Sequence, residues 1–209
     1  DSSSPAMPAL FTIAAHCHSL VGSGSGKAGE LHGDPLELAL AEWADAHRKM
    51  DSGWQRVDEL PFDSDRRRMS TLHASGDGFV ILSKGALEAL LPRCSHLSQN
   101  GEEIALDAQA RVRVTSAEAA LALQGHRVLA LARREVGNRR ISEHDETDML
   151  LCGLIALEDP VRQEVPAAVL ACRRAGVRVV MVTGVHPRTA QAVASETGLF
   201  SAGSEGRVI

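Results

Sequence analysis

The chain has 209 residues, of which 44% are apolar, 23% charged and 3% aromatic, and it contains no tyrosine. That composition belongs to folded proteins and excludes a disordered, charge-dominated chain. A net charge of −5 with so few aromatic rings also argues against a basic or base-stacking surface, so no nucleic-acid partner is expected. The length suits one large domain or two small ones. Cys17, Cys94, Cys152 and Cys172 are widely spaced and form no Cys-x-x-Cys pair, which points to reduced, buried thiols. The apolar run Met149–Leu157 is far short of the roughly 20 residues a membrane span needs. The opening Asp1-Ser-Ser-Ser-Pro5 lacks the basic and apolar regions of a signal peptide and reads as a cut end or a tag remnant.

In chain order, Ala9–Ala15 is apolar and compatible with a helix. Gly22-Ser-Gly-Ser-Gly26 has the composition of a flexible loop, and without a following Gly-Lys-Ser/Thr it does not match a phosphate-binding P-loop. Asp34-Pro35 supplies an N-cap and a first-turn proline, and Leu36, Leu40, Trp43 and Ala44 carry a helix to about His47. Trp54, Val57 and Leu60, and then Phe79–Leu82, read as strands joined by a turn at Ser75–Gly78. A short helix is expected over Ala86–Leu91, stopped by Pro92. Thr115-x-x-Glu118 reads as a capping box for a helix over Ala119–Leu123, with Gly125 at its end. Val128–Ala132 is a strand, and the polar stretch 135–148 is the expected domain boundary.

The last third alternates differently. A buried strand over Leu151–Leu157, a helix over 162–175, a second buried strand over Val177–Val182 and a helix from Pro187 to Thr197 describe part of a parallel, doubly wound unit. In such a sheet ligands bind beyond the carboxyl ends of the strands, which points to Asp159 and to Thr183-Gly184. Thr183-Gly184 could hold an anion on its backbone N–H groups or serve only as a tight turn. The unit has too few strands to be complete, so the chain is expected to stop inside its second domain.

Three groupings could carry chemistry. His16 and His18 would share a face if they lay on a strand, but two ligands do not make a metal site. Asp63-Ser-Asp65 has the spacing of a phosphatase nucleophile but does not sit at a strand end. Phe62 beside Arg66-Arg-Arg68 offers an aromatic face next to a cationic run, a combination suited to a purine carrying phosphates. Phe62 alone would more ordinarily be core, and Glu37, one turn into its helix, would more ordinarily be solvated.

Six segments, in order, resemble the P-type ATPases, the cation pumps that form an aspartyl-phosphate. They are Gly33-Asp-Pro-Leu-Glu-Leu-Ala-Leu40, Phe62-Asp-Ser-Asp-Arg-Arg-Arg-Met-Ser70, Ser83-Lys-Gly-Ala-Leu-Glu88, Gly125-His-Arg-Val-Leu-Ala130, Gly153–Arg162, and Ala175–Gly184 followed by His186-Pro-x-Thr-Ala190. The nearest likeness is to the P2 group of calcium-like pumps, and Cys17-His-Ser-Leu20 also has a P5 flavour.

The resemblance implies an α/β chain. Residues 5–148 would be an α+β nucleotide-binding domain with an antiparallel sheet. Residues 149–209 would be the C-terminal part of a Rossmann-like phosphorylation domain of haloacid-dehalogenase type. It implies ATP as ligand, with Mg2+ bound through parts of the phosphorylation domain not in this chain. Phe62 would stack on adenine and Glu37 would bind its amino edge. Lys84, with Gly85, would line the pocket, Arg67 would stand where the family has a lysine, and Arg127 would reach the phosphates. Arg162 would meet ATP from the second domain, and Asp159, Thr183 and Gly184 would lie on the phosphoryl side.

The resemblance further implies a soluble piece on the cytoplasmic face of a membrane-embedded parent, partnered by that parent's transmembrane and actuator domains. The family's phosphorylated Asp-Lys-Thr-Gly motif is absent, so this chain should bind nucleotide without turning it over. Val185 stands where the family has Asp, and Leu36 and Leu87 are milder departures. Val185 supports an alternative reading, a degenerate ATP-binding or sensing module.

Overall fold

The computed structural model describes residues 7–22, 31–47, 53–76, 78–158, 161–182 and 187–199. Helix α1 (Met7–His16) is followed by two short paired strands, β1 (Val21–Gly22) and β2 (Leu31–His32). Helix α2 (Pro35–His47) starts where the sequence places it, because the Asp34 carboxylate accepts the Leu36 N–H at 2.9 Å. Strands β3 (Gln55–Asp63), β4 (Arg68–Ser75) and β5 (Gly78–Gly85) form an antiparallel meander. A short helix α3 (Leu87–Leu90) runs into a single 3-10 turn at Leu91–Arg93, within which Pro92 is accommodated. Strands β6 (Cys94–Gln99) and β7 (Glu102–Ala105) form a hairpin around Asn100 and Gly101, both at positive φ (53° and 86°). Helix α4 (Ala108–Leu123), β8 (Arg127–Val136) and β9 (Met149–Leu157) follow.

Seven strands make one mixed sheet in the order β3-β4-β5-β8-β9-β6-β7. Strands β6 and β9 pair in parallel; β3, β4, β5 and β8 run antiparallel in turn, and β6 pairs antiparallel with β7. The architecture is therefore mixed α/β with an antiparallel-dominated open sheet. Strand alternation sorts the core onto its two faces. Met69, Val80, Leu82, Leu131 and Cys152 pack against Leu10, Ile13 and Cys17 of the α1 segment, while α1 and α2 are stapled by Phe11 on Trp43, ring centroids 4.7 Å apart. On the other face Leu72, Ile81, Ala130, Ala132, Met149 and Leu151 pack with Leu87, Leu90, Leu106 and Ala110.

Several expectations need correction. Strand β4 was not distinguished in the sequence because its interior is polar. Its Ser70, Thr71 and His73 are nonetheless buried. Helix α4 begins at Ala108 rather than near Thr115, because Asp107 caps the Ala110 N–H at 2.7 Å and Thr115 is mid-helix. Gly125 (φ 96°) does end it. Strand β9 lies inside the seven-stranded sheet, between β8 and β6. His16 ends α1, and Cys17 and His18 follow it in a bend rather than lying on a strand.

By contact density the chain divides into two units, Asp1–Thr115 with Leu129–Ile155, and Ser116–Val128 with Ala156–Ile209. In the second, α5 (Val165–Arg174) and α6 (Pro187–Glu196) form as expected, each followed by a glycine at positive φ, Gly176 and Gly198. The parallel strand expected over Val177–Val182 does not form. That run joins no strand among the described residues, and its valines are exposed, Val182 to 92%. A strand apolar on both faces needs neighbours on both edges and layers above and below, and no described residue supplies them. The partial Rossmann-like unit is thus reduced, among described residues, to its helices. All four cysteines are free thiols, three of them buried, and burial pushes the Cys17 thiol up to about 11, against the opposing pull of Lys84.

His73 on β4 is buried edge-on to His16 and Trp54, with Nε2 3.0 Å from the Thr71 hydroxyl. Burial above all, then the charges of His16 and Arg56, pushes its pKa down from 6.5 to about 4. Between those values the unfolded chain takes up a proton that the folded chain refuses. The stability contributed by neutral His73 is therefore complete above pH 6.5 and lost as pH falls through 4. Denaturant unfolding at pH 7, 6 and 5 should show stability falling with pH, by at most about 1.4 kcal/mol per unit from this group. His73→Gln should flatten that slope.

Candidate functional site

An antiparallel meander returns alternate strand ends to one edge. The end of β3 (Phe62, Asp63), the start of β4 (Arg67, Arg68) and the end of β5 (Lys84, Gly85) therefore meet. In register, Arg68 pairs with both Asp63 and Gly85, and Met69 pairs with Lys84. Four of the residues singled out in the sequence, Phe62, Arg67, Lys84 and Gly85, are brought together here.

Glu37 joins them from the first turn of α2. Its Oε1 accepts a hydrogen bond from Lys84 Nζ at 2.8 Å and its Oε2 accepts the Ser19 N–H at 2.9 Å. Both members of this ion pair are buried. His18 lies alongside: burial, then the charges of Lys84 and Arg56, lowers its pKa, and its Nδ1 accepts the Leu20 N–H at 3.2 Å. That acceptor role places the neutral ring's proton on Nε2.

Phe62 is 61% exposed. It sits in a bulge, because Leu60 pairs with Ser70 and Asp63 with Arg68, leaving Pro61 and Phe62 opposite Met69 alone. The following turn is built by Asp63, whose Oδ1 accepts the N–H groups of Asp65 and Arg66, both at 2.9 Å. The Arg66 N–H above all, then that of Asp65, holds the Asp63 carboxyl below its ordinary range. Asp63 does end β3, against the expectation that Asp63-Ser-Asp65 lies away from a strand end, but its carboxylate is occupied as a turn former. Arg67 takes the left-handed conformation (φ 51°), and its guanidinium pairs with Glu88 at 2.7 Å, both side chains exposed. Gly85 is required sterically: a Cβ there would lie 2.5 Å from the Arg67 carbonyl oxygen and from Arg68 Cβ.

Beneath this edge, on the opposite face of the sheet from Lys84, is a cluster the sequence did not reveal. Glu146 is wholly buried. Its Oε2 accepts from Arg68 Nη2 (2.6 Å), Arg68 Nε (2.8 Å) and Arg66 Nη1 (3.1 Å), and its Oε1 accepts from the Ser70 hydroxyl (2.6 Å). Ser70 is in turn 2.6 Å from Ser83 Oγ. The only signal was the run Arg66-Arg-Arg68, and its acidic partner lies 78 residues away from Arg68.

Arg127 is exposed at the head of β8 and belongs by contact to the second unit, as does exposed Arg162. Asp159, Thr183, Gly184 and Val185 lie outside the described residues. Among the described residues no group of three or more His, Cys, Asp or Glu side chains could hold a metal ion. Among them too, no helix is long and apolar enough to cross a membrane.

A mixed sheet with this polar edge is matched from residue 6 to 164 by the family model for the P-type ATPase cytoplasmic domain N. The chain belongs to the P-type ATPases. It is 36% identical over 172 residues to calcium-transporting ATPase 1 of Bacillus cereus, covering 80% of this chain and 19% of that protein. A calcium-transporting ATPase of Listeria monocytogenes is 35% identical over 199 residues, 92% of this chain and 22% of that protein. A cation-transporting ATPase of Synechocystis is 40% identical over 179 residues, 82% and 19% respectively. The chain thus spans about a fifth of the length of the relatives it matches.

Two outcomes test this geometry. Lys84→Met leaves the Glu37 carboxylate buried without its cation and should cost about 3–5 kcal/mol. The double variant Glu37→Gln/Lys84→Met should be more stable than the sum of the single losses by at least about 1 kcal/mol, read from denaturant unfolding. Gly85→Ala should destabilise by about 1–3 kcal/mol through overlap with Arg67 and Arg68.

Proposed function

We propose that this chain is the ATP-binding cytoplasmic portion of a P-type cation pump, which presents the γ-phosphate to an aspartate outside these residues. The observation that carries the reading is an exposed aromatic ring, Phe62, held at a cationic sheet edge beside the buried Glu37–Lys84 pair. An exposed phenyl ring is costly in water and well suited to stack on a base. In this reading Phe62 stacks on adenine and Glu37 accepts from its amino group, a carboxylate oxygen having a second lone pair beyond those used by Lys84 and Ser19. Lys84 fixes the orientation of that carboxylate, and Gly85, next to it on β5, lines the same edge. Arg67 and Arg127 meet the phosphates.

Arg162, Asp159, Thr183 and Gly184 act from the phosphorylation side. The pairing of β9 within the sheet supports a border beyond Ile155 rather than at 149 between the nucleotide-binding and phosphorylation domains. Magnesium, when bound with the phosphates, neutralises charge developing during transfer; the described residues offer no carboxylate cluster for it. The pump's remaining domains are the partners, the piece lies on the cytoplasmic face, and the isolated chain, without the aspartyl motif, does not turn over. A second reading, an ATP-binding module that has lost catalysis, is favoured by Val185 in place of the family's Asp. In that case ATP still binds here.

ATP titration of the chain by NMR should give saturable shifts near Glu37, Phe62 and Lys84. Phe62→Ala should weaken binding by about 1–3 kcal/mol. Because the ring is exposed, the unfolding midpoint should hardly move. Unchanged affinity in the folded variant would remove Phe62 from the site, and no binding at millimolar ATP would remove the nucleotide.

A further inference from the structure

We propose that Glu146 is a positioning residue for the nucleotide site, acting through Arg66 on the bulge that presents Phe62. The inference rests on the nucleotide reading above. Phe62 is not held by the strand ladder, since it and Pro61 occupy the bulge where two residues oppose one. Something else must fix the direction of the ring. The Pro61 carbonyl oxygen accepts a hydrogen bond from Arg66 Nη2 at 3.0 Å. The same guanidinium donates through Nη2 to the Arg68 carbonyl at 3.3 Å and through Nη1 to Glu146 at 3.1 Å. Arg68 completes the frame, with Nη1 donating to the Arg66 carbonyl at 3.2 Å while its other nitrogens grip Glu146. One buried carboxylate therefore orients two guanidinium groups, and those groups tie down backbone carbonyls on both sides of the turn that follows Phe62.

Stability alone does not account for this arrangement. A buried ionic cluster repays its desolvation poorly, and well-packed apolar residues usually do as well or better. What such a cluster does supply is a unique geometry, because planar guanidinium forks accept few alternative arrangements. The second carboxylate near Arg66, Glu143, is exposed and 4.0 Å away, so it cannot replace Glu146 in that role. A fixed ring loses less freedom when a base stacks on it, which raises affinity without adding a contact.

The test compares the full chain with Glu146→Gln and Arg66→Lys. Adenosine, ATP and inorganic tripolyphosphate are titrated into each, and the Phe62 ring resonances are read without any ligand. Arg66→Lys keeps a cation against Glu146 and serves where Glu146→Gln unfolds. The expected result is a loss of about five- to tenfold in affinity for adenosine and ATP alike. Tripolyphosphate affinity should stay unchanged, and the Phe62 ring signals should shift or broaden in the free variants. A merely structural role would lower the unfolding midpoint without that split. Folded variants with unchanged adenosine affinity and unchanged Phe62 signals would overturn the proposal. So would a loss confined to ATP and tripolyphosphate, which would make Arg66 a direct phosphate ligand. If the unmutated chain binds no adenosine, the nucleotide reading falls instead, and the ring signals alone report whether Glu146 holds the bulge.

Discussion

Strand β4 is buried over most of its length, yet it carries Arg68, Ser70, Thr71 and His73. Each of those groups gives up water, and each must be answered from within the protein. Much of the local structure follows from how they are answered. Ser70 bonds to Glu146 and lies against Ser83 of the neighbouring strand, Arg68 grips Glu146, and Thr71 meets His73. Neutral His73 is enclosed by His16 and Trp54. The segment 137–148 is held against the sheet in part by Glu146, and in part by the Ile141 N–H, which donates to Asp58 on β3.

The two faces of the sheet solve the same problem with different ion clusters. On one face Lys84 meets Glu37, a carboxylate brought in by a helix N-terminus, where the helix dipole favours negative charge. On the other, Arg68 and Arg66 share Glu146, brought in by a loop. Lys84 and Arg68 lie one register step apart on adjacent strands, so side-chain alternation alone sends them to opposite faces. Gly85 sits between the two systems. Its missing side chain lets the β4 and β5 backbones close over Arg67 and Arg68, and this keeps both clusters at one sheet edge.

Local chemistry was legible in the sequence where it is local. Asp34-Pro35 marked the start of α2 and Gly125 marked the end of α4, because caps act within one turn. The start of α4 was missed because Asp107 is a cap of the same kind, followed by Arg111-Val-Arg-Val114, whose alternation imitates a strand. Asn100-Gly101 was a readable hairpin signal that went unused. Strand β4 was hidden by its polar interior, and Val177–Val182 looked like a strand because apolar runs say nothing about whether neighbours are present. Motif resemblance named Glu37, Phe62, Lys84 and Arg67 one by one. That Glu37 and Lys84 form a buried pair, and that Arg66 and Arg68 converge on Glu146, depends on topology, which no spacing rule carries.

The distribution of partners also decides which cations at this edge can respond to a ligand. Arg67 pairs with Glu88 at the surface, where both groups keep their water and the pair is worth about 0–1 kcal/mol. Exchanging Glu88 for a phosphate oxygen therefore costs Arg67 little. Lys84 is different. Leaving Glu37 would strand a buried carboxylate, at a cost several times larger. Arg66 and Arg68 are committed in the same way to Glu146. The edge thus has a fixed layer and a free layer. Lys84, Arg66 and Arg68 hold the frame in which Phe62 stands exposed, and Arg67 is the cation of that edge whose present contact is cheap to exchange.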